Sequence, residues 1–452
     1  MKEGKAIAAM TEERVEQIGP TGRSEFTYVD ISSIDRETKR IVDPKVLQKA
    51  KAPSRARQVL KAGDVLVSMT RPNLNAVSLV PDDLNGSIGS TGFHVLRAKD
   101  AEPKFLFYAV QTPAFINAMC EKVQGALYPA VRPKDISSFI LPIFSLPAQR
   151  AAVAEIEKQF TRLEAGVAAL RRVQANLKRY RAAVLKAACE GRLVPTEADL
   201  AKTENRKFET GEQLLSRALS NRRQNWRCRG KYKEPAALST SKLYQLPAGW
   251  IWATLDALAE LKGGITKDQN RKHTTPARSV PYLRVANVQR GYLDLTEVKE
   301  IVTTEDEIQE LALKSGDTLF NEGGDRDKLG RGWVWSGELS ECIHQNHVFR
   351  ARLNVPELNP KLISWYANTF GQKFFFDEGK HTTNLASISM TKLKGLPVPI
   401  PPPAEQARIV AEVERRLSVL EELNAVASAA VKRSTRLRQS ILQQAFSAKL
   451  LK

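Results

Sequence analysis

The chain runs to 452 residues, 42% hydrophobic and 26% charged, with 69 Lys and Arg against 50 Asp and Glu and a net charge of +19. That length exceeds one ordinary core, so two or more domains are expected, and the apolar fraction excludes a wholly disordered chain. The basic excess favours a polyanionic partner, nucleic acid before any other. No window of about 18 apolar residues is present and Met1 to Met10 lacks an apolar signal core, so no membrane partner is expected. Four scattered cysteines (Cys120, Cys189, Cys228 and Cys342) show no CxxC spacing. They fit a reducing cytoplasm better than a disulfide framework.

Residues 1–147 alternate short apolar runs with turn signals. Phe26 to Ile34 and Val65 to Met69 read as strands, the second entered through the turn Ala62-Gly63-Asp64. Phe93 to Leu96 is a further candidate strand, and Pro103 to Met119 a helix with a buried face. The proline-punctuated stretch Ile140 to Pro147 then delivers the chain to a long helical run at 148–194. From Gln149 to Leu193 that run contains no proline, and Val153, Ile156, Phe160, Leu163, Val167 and Leu170 recur three and four residues apart. This spacing is the seam of a coiled coil. As a helix of about 45 residues the run would span roughly 65–70 Å.

Residues 195–244 change character. Between Lys202 and Lys233 ten Lys and Arg face three Asp and Glu. Thr210 to Asn225 predicts a short helix with Leu214, Leu215, Leu219 and Trp226 on one side. The remainder reads as a basic linker, either solvated or lying along a nucleic-acid backbone.

A second domain, 245–402, repeats the order of the first, and a second long run, 403–452, repeats the helix. Tyr28 to Ile34 aligns with Tyr282 to Val288, Ala62 to Leu66 with Ser315 to Leu319, and Val153 to Glu157 with Val410 to Glu414. Offsets of 254, 253 and 257 between these pairs indicate duplication. Val410, Val413, Leu417 and Leu420 carry the second seam. Two matching helices in one chain can pair with each other, and antiparallel pairing would give each domain its own end. Two basic heads of unlike sequence then suit a bipartite DNA site with unlike halves.

Candidate DNA contacts lie in loops. In the first domain they are Arg71, Asn73, Tyr128, Arg132 and Lys134. In the second, the glycine-rich run Asn321 to Trp335 offers Arg326, Lys328 and Arg331 for phosphates or guanine edges. Gln345 and Asn346 suit an adenine edge, because an amide can bond N6 and N7 together. Lys380, His381 and Asn384 stand in a loop equivalent to the one holding Tyr128. A zinc site at Cys342, His344 and His347 would lack a fourth ligand, and the two histidines would face opposite sides of a strand, so no metal is expected. For catalysis the residues are thin. Asp82, Glu102 and Lys104 loosely imitate a nuclease's carboxylates and lysine, and no methyltransferase tetrad, P-loop, GxSxG or HExxH occurs. A self-sufficient nuclease or methyltransferase and a sequence-blind coiled-coil scaffold are the alternative readings.

The layout resembles the specificity subunit of type I restriction–modification systems. The resemblance rests on LPAGWIWATL at Leu246, PPPAEQARIVAEVE at Pro401 and SILQQAFSAKLL at Ser440, with GSTGFHVLRAKD at Gly89 and LFNEGGDRDKLGRGWVW at Leu319. It implies an α+β fold: two mixed α/β target-recognition domains separated by two long helices that pair as an antiparallel coiled coil. It also implies that each domain reads half of a split asymmetric sequence in double-stranded DNA. The helices would set the gap and dock two modification subunits, with Arg171, Arg172, Lys178 and Arg179 on the docking face. Those subunits would hold S-adenosylmethionine and methylate a flipped-out adenine. Restriction subunits, where present, would use ATP and magnesium. This chain would bind no cofactor and catalyse nothing. One departure stands out: the first domain opens without a counterpart of the GWIW segment.

Overall fold

The computed structural model describes residues 4–20, 24–123, 129–226, 231–266, 276–324, 329–381 and 386–447. It divides into a first unit, Met1–Val173 with Ala425–Lys452, and a second, Gln174–Asn424. No described helix is long and apolar enough to cross a membrane.

In the first unit Val65–Ser68 lies between Phe93–Leu96 and Val77–Leu79, antiparallel to both. All four of its residues are buried, which is why so short an apolar run, framed by the turn at Gly63 (φ +85°), holds a central position. A second sheet places Glu25–Val29 between Lys45–Gln48, antiparallel, and Ile88–Ser90, parallel. The single helix expected at Pro103 to Met119 is two, Pro103–Ala109 and Pro113–Glu121. Pro113 has no N–H to donate and drives Thr112 into extended backbone, from which the Thr112 hydroxyl caps the second helix. The core joins Val65, Val67, Leu96, Phe105 and Ile136 to the first turns of one long helix and the last turns of the other.

The second unit repeats this plan. Thr318–Asn321 lies between Gly332–Val334 and Val348–Leu353, and Ala277–Leu283 between Lys299–Thr304 and the parallel Ile343–His344. The duplication read from sequence holds to the residue. Tyr28 pairs with Lys45 and Ile88, and Tyr282 pairs with Lys299 and Ile343. Each unit also buries one carboxylate in the fork of one arginine. Arg97 meets Asp64 at 2.7 and 2.8 Å, and Arg352 meets Asp317 at 2.6 and 2.7 Å.

The opening of the first domain, which has no GWIW in its sequence, still has the strand. Gly4–Ala6 pairs with Ile140–Pro142 as Ile251–Thr254 pairs with Pro397–Ile400. A strand needs backbone partners, and these three residues supply them without the aromatic side chains.

The long helices are Leu146–Cys189 and Pro403–Phe446, 44 residues each. They are antiparallel. In the first unit Val153, Ile156 and Phe160, near the start of one, pack with Ile441, Leu442 and Ala445, near the end of the other. In the second unit Val184 and Ala188 share a core with Ile409, Val410 and Val413.

The expected basic linker is in its first half a folded part of the second unit. Glu197–Thr203 and Gly211–Gln224 are helices, capped by Thr196 and Thr210, and Leu214 and Ala218 are fully buried in that unit's core. Its four described arginines are spent internally. Arg206 pairs with Glu197, Arg217 with Glu357, Arg222 with Asp256 and Arg223 with Glu234.

Candidate nucleic-acid interface

In the first unit the backbone brings two of the predicted loops together. The Val131 N–H donates to the Met69 carbonyl (2.9 Å), the Arg71 N–H to the Pro129 carbonyl (2.7 Å), and Thr70 bridges Ala130. Arg71 and Asn73 therefore stand beside Arg132 and Lys134, and all four side chains are exposed. Arg132 is held loosely, its Nε 3.6 Å from Asp135. Tyr128 lies outside the described residues. A cleft of about 360 Å³ opens between Ile31, Arg36, Arg71 and Pro129.

The loop that presents Arg71 and Asn73 is strained and clamped. Arg71 and Asn75 both adopt left-handed backbone, at φ +49° and +44°, which costs a non-glycine residue on the order of 1 kcal/mol. Two hydrogen-bonded side chains hold it. The Asn75 amide donates to the Val110 carbonyl (2.8 Å), and Lys39 Nζ donates to the Asn75 carbonyl (2.6 Å) and Oδ1 (3.1 Å). Burial, with Arg438 and Arg36 adding like charge, pulls the Lys39 ammonium down to about 8. Lys39 was not legible as a site residue, being 36 positions away and itself in left-handed backbone.

The second unit assembles the equivalent loops. The Ile388 N–H donates to the Glu322 carbonyl (2.7 Å), matching Val131 and Met69. Gly323 and Lys380 both pair with Ser387, so the glycine-rich run and the late loop share one small sheet. Lys380 is exposed. Arg331 is half-buried, with Nη2 donating to the Val285 carbonyl (3.1 Å). Gln345 and Asn346 are half-buried at the turn after Ile343–His344, where their N–H groups donate to Leu283 and Ile265. Arg326, Lys328 and Asn384 lie outside the described residues, as does the side chain of His381.

His344 and His347 part company. His344 is fully buried, with Nδ1 2.6 Å from the Val348 carbonyl and its ring pushed down to about 4 by burial. His347 is exposed, 2.5 Å from Glu322. Among the described residues no group of three or more His, Cys, Asp and Glu is placed to hold a metal ion. Lys104, offered as a nuclease lysine, instead pairs with Glu157 on the long helix (2.7 Å).

On the long helices Arg171, Arg172, Lys178 and Arg179 are all exposed, and Arg171 reaches Glu37 at 3.8 Å. Val173 and Tyr180 stand exposed among them, at 45% and 47%. The heptad pattern does not mark those two, because they lie off the seam.

No family model matches the chain. It is 23% identical over 353 residues to the EcoKI specificity subunit of Escherichia coli K12, a type I restriction enzyme component, covering 76% of this chain and 65% of that one. It is 26% identical over 181 residues, 39% of this chain and 41% of the relative, to the putative MjaX specificity subunit of Methanocaldococcus jannaschii. The chain thus spans less than two thirds of the length of these relatives. Among solved structures, a chain from work on complex assembly and conformational transition of the type I R-M system matches at a TM-score of 0.67 and 25% identity. That match covers 98% of this chain and 97% of the other. The HsdS subunit from Thermoanaerobacter tengcongensis shares the fold at a TM-score of 0.57 and 22% identity, covering 99% and 97%.

Proposed function

The chain is a homologue of the specificity subunits of type I restriction–modification systems, and from that premise we propose that it reads DNA sequence for such a complex. One observation carries the proposal. The same backbone arrangement occurs twice, each time presenting a different set of loop residues. Each unit then reads one half of a bipartite, asymmetric site in double-stranded DNA. In the first unit Arg71 and Asn73 face the base edges, since guanidinium and amide groups bond purines bidentately. Arg132 and Lys134 take the phosphates beside them, which position without specifying. In the second unit the same roles fall to the run holding Arg326, Lys328 and Arg331 and to Gln345, Asn346, Lys380, His381 and Asn384.

The paired helices set the gap between half-sites and dock two adenine-methylating modification subunits through the face bearing Arg171, Arg172, Lys178 and Arg179. S-adenosylmethionine belongs to those subunits and the catalysis with it; ATP and magnesium belong to motor subunits where these are present.

Co-expressing the chain with its modification subunit and sequencing methylated adenines in the host DNA tests the reading. The expected result is one split motif. Lengthening both helices by whole turns should then change the number of unread bases and leave the letters alone. Methylation without a motif, or salt-sensitive binding blind to sequence, would refute it.

A further inference from the structure

The two units place unlike side chains at one pair of matching positions within their candidate reading faces. The Met69 N–H donates to the Gly92 carbonyl (3.0 Å), and the Met69 carbonyl accepts from Val131 (2.9 Å). The Glu322 N–H donates to the His347 carbonyl (2.9 Å), and the Glu322 carbonyl accepts from Ile388 (2.7 Å). This shared bonding makes Glu322 the counterpart of Met69, and His347 that of Gly92. In the first unit the pair carries no charge. The Met69 side chain packs against the core, and a Cβ on Gly92 would crowd Ile31 Cδ1 at 3.0 Å. In the second unit the same positions hold a carboxylate and an imidazole 2.5 Å apart, with side chains 30% and 54% exposed.

That pair stands where three segments of the second unit's candidate interface meet. Glu322 opens the glycine-rich run, and His347 follows Gln345 and Asn346 in one turn. The bond from Ile388 ties Glu322 to the late loop, where Lys380 pairs with Ser387. A carboxylate here is informative. Like the phosphate oxygens it only accepts, and it carries their sign, so a DNA backbone repels it. In the major groove the groups that donate are the amino groups of cytosine (N4) and adenine (N6). Fastening the loop does not require an acid, because the bonds to His347 and Ile388 are made by the Glu322 backbone. The side chain instead accepts from His347 Nδ1 through Oε2, which leaves Oε1 to a ligand.

We infer that Glu322 determines specificity in the second unit by accepting a hydrogen bond from the amino group of a cytosine or an adenine, with His347 positioning its carboxylate. The inference rests on the functional reading above and assigns a base class to one contact of that site. Met69 and Gly92 offer the first unit no such contact, so the two half-sites are read by different chemistry at matching places.

The test uses the full chain co-expressed with its modification subunit. Methylated adenines are sequenced, and the purified complex is titrated with duplexes. Glu322→Ala should make one position of one half-site degenerate, leave the other half-site intact and hold the melting temperature. At that position the des-amino analogue of adenine or of cytosine should weaken wild-type binding roughly tenfold or more. The same analogue should leave binding by Glu322→Ala unchanged, and which of the two acts identifies the base. Glu322→Gln keeps the shape and one acceptor oxygen, so its effect should be smaller. His347→Ala should blur the same position and no other, and His347→Gln, which retains an N–H donor, should restore it in part. The inference alone is overturned by a motif that neither Glu322 variant changes, or by a melting temperature that falls while the letters stay. Equal sensitivity of wild type and Glu322→Ala to the analogues overturns it too. A wild-type chain that yields no split motif overturns the functional reading with it.

Discussion

The two units are one scaffold used twice, and they diverge in the loops the scaffold carries. Strand registers, the buried Arg97–Asp64 and Arg352–Asp317 forks, and the Gln149 and Gln406 hinges match position for position. Even the ion pair tying each head to its long helix recurs, Lys104 with Glu157 and Lys361 with Glu414. The loops do not match. The first unit clamps a left-handed loop with Lys39, while the second builds a three-stranded patch around Gly323 and Lys380. Contacts that hold the fold tolerate little change; loops that read a ligand gain by differing.

The largest effect should come from the forks. Asp64 and Asp317 are each 1% exposed, so removing the arginine leaves a buried carboxylate uncompensated, at a cost of about 3–5 kcal/mol. Arg97→Met and Arg352→Met should each lower the thermal stability of their own unit by this order. The Arg97 side chain is the more buried, 11% against 27% exposed, and its loss should be the costlier. Equal and negligible losses would show that the forks are not the shared support.

Next come the residues proposed to read bases. Arg71→Ala should weaken binding by about 1–3 kcal/mol and relax one half of the motif. Arg331 divides the possibilities more sharply, since its Nη2 already holds the Val285 carbonyl. If it reads a base, Arg331→Ala relaxes the other half-site while the melting temperature holds. If its role is the loop backbone, stability falls and the letters stay.

Lys39 bears on the first unit alone. Its ammonium is depressed to about 8 by burial, below its ordinary 10.5. Between these two values the unfolded chain binds more protons than the folded one, so stability should rise as pH climbs through that window. Below about 8 the cost of the buried charge is fully present. Lys39→Met should abolish this rise and, by releasing Asn75, blur the half-site proposed for Arg71 and leave the other half unchanged. Methylation sequencing and melts at pH 7.5 and 10 would check both halves of the expectation.

Much of the scaffold was legible because hydrophobic spacing and duplication are local or periodic signals. The seams at Val153, Ile156 and Phe160 and at Val410, Val413 and Leu417 lie in long helices, and the Tyr28–Tyr282 alignment reproduces the strand register. What escaped was tertiary. Nothing local says that the basic 195–244 stretch spends its four described arginines on Glu197, Asp256, Glu357 and Glu234. Nor does sequence say that Gly4–Ala6 makes a strand, since its partner Ile140–Pro142 is more than a hundred residues away. The break at Pro113 was legible in principle, but the apolar periodicity around it masked the proline and a single helix was expected.

The smallest effect separates the two ends of the helix pair. Arg181 meets Glu421 at 3.3 Å with both side chains well exposed, 40% and 70%. Arg438 meets Glu164 at 3.2 Å, is 21% exposed, and lays its guanidinium 3.9 Å from the centre of the Phe160 ring. An exposed pair is worth about 0–1 kcal/mol, whereas a cation over a partly desolvated ring adds about 0.5–2 kcal/mol. Arg438→Ala should therefore destabilise the first unit by about 1–2 kcal/mol, and Arg181→Ala the second by less than about 0.5 kcal/mol. Arg438→Lys keeps the charge and loses the planar stacking, so it should recover only part of the difference. Raising the salt should erase most of the Arg181 effect and little of the Arg438 effect, because screening acts on exposed charge and not on ring contact.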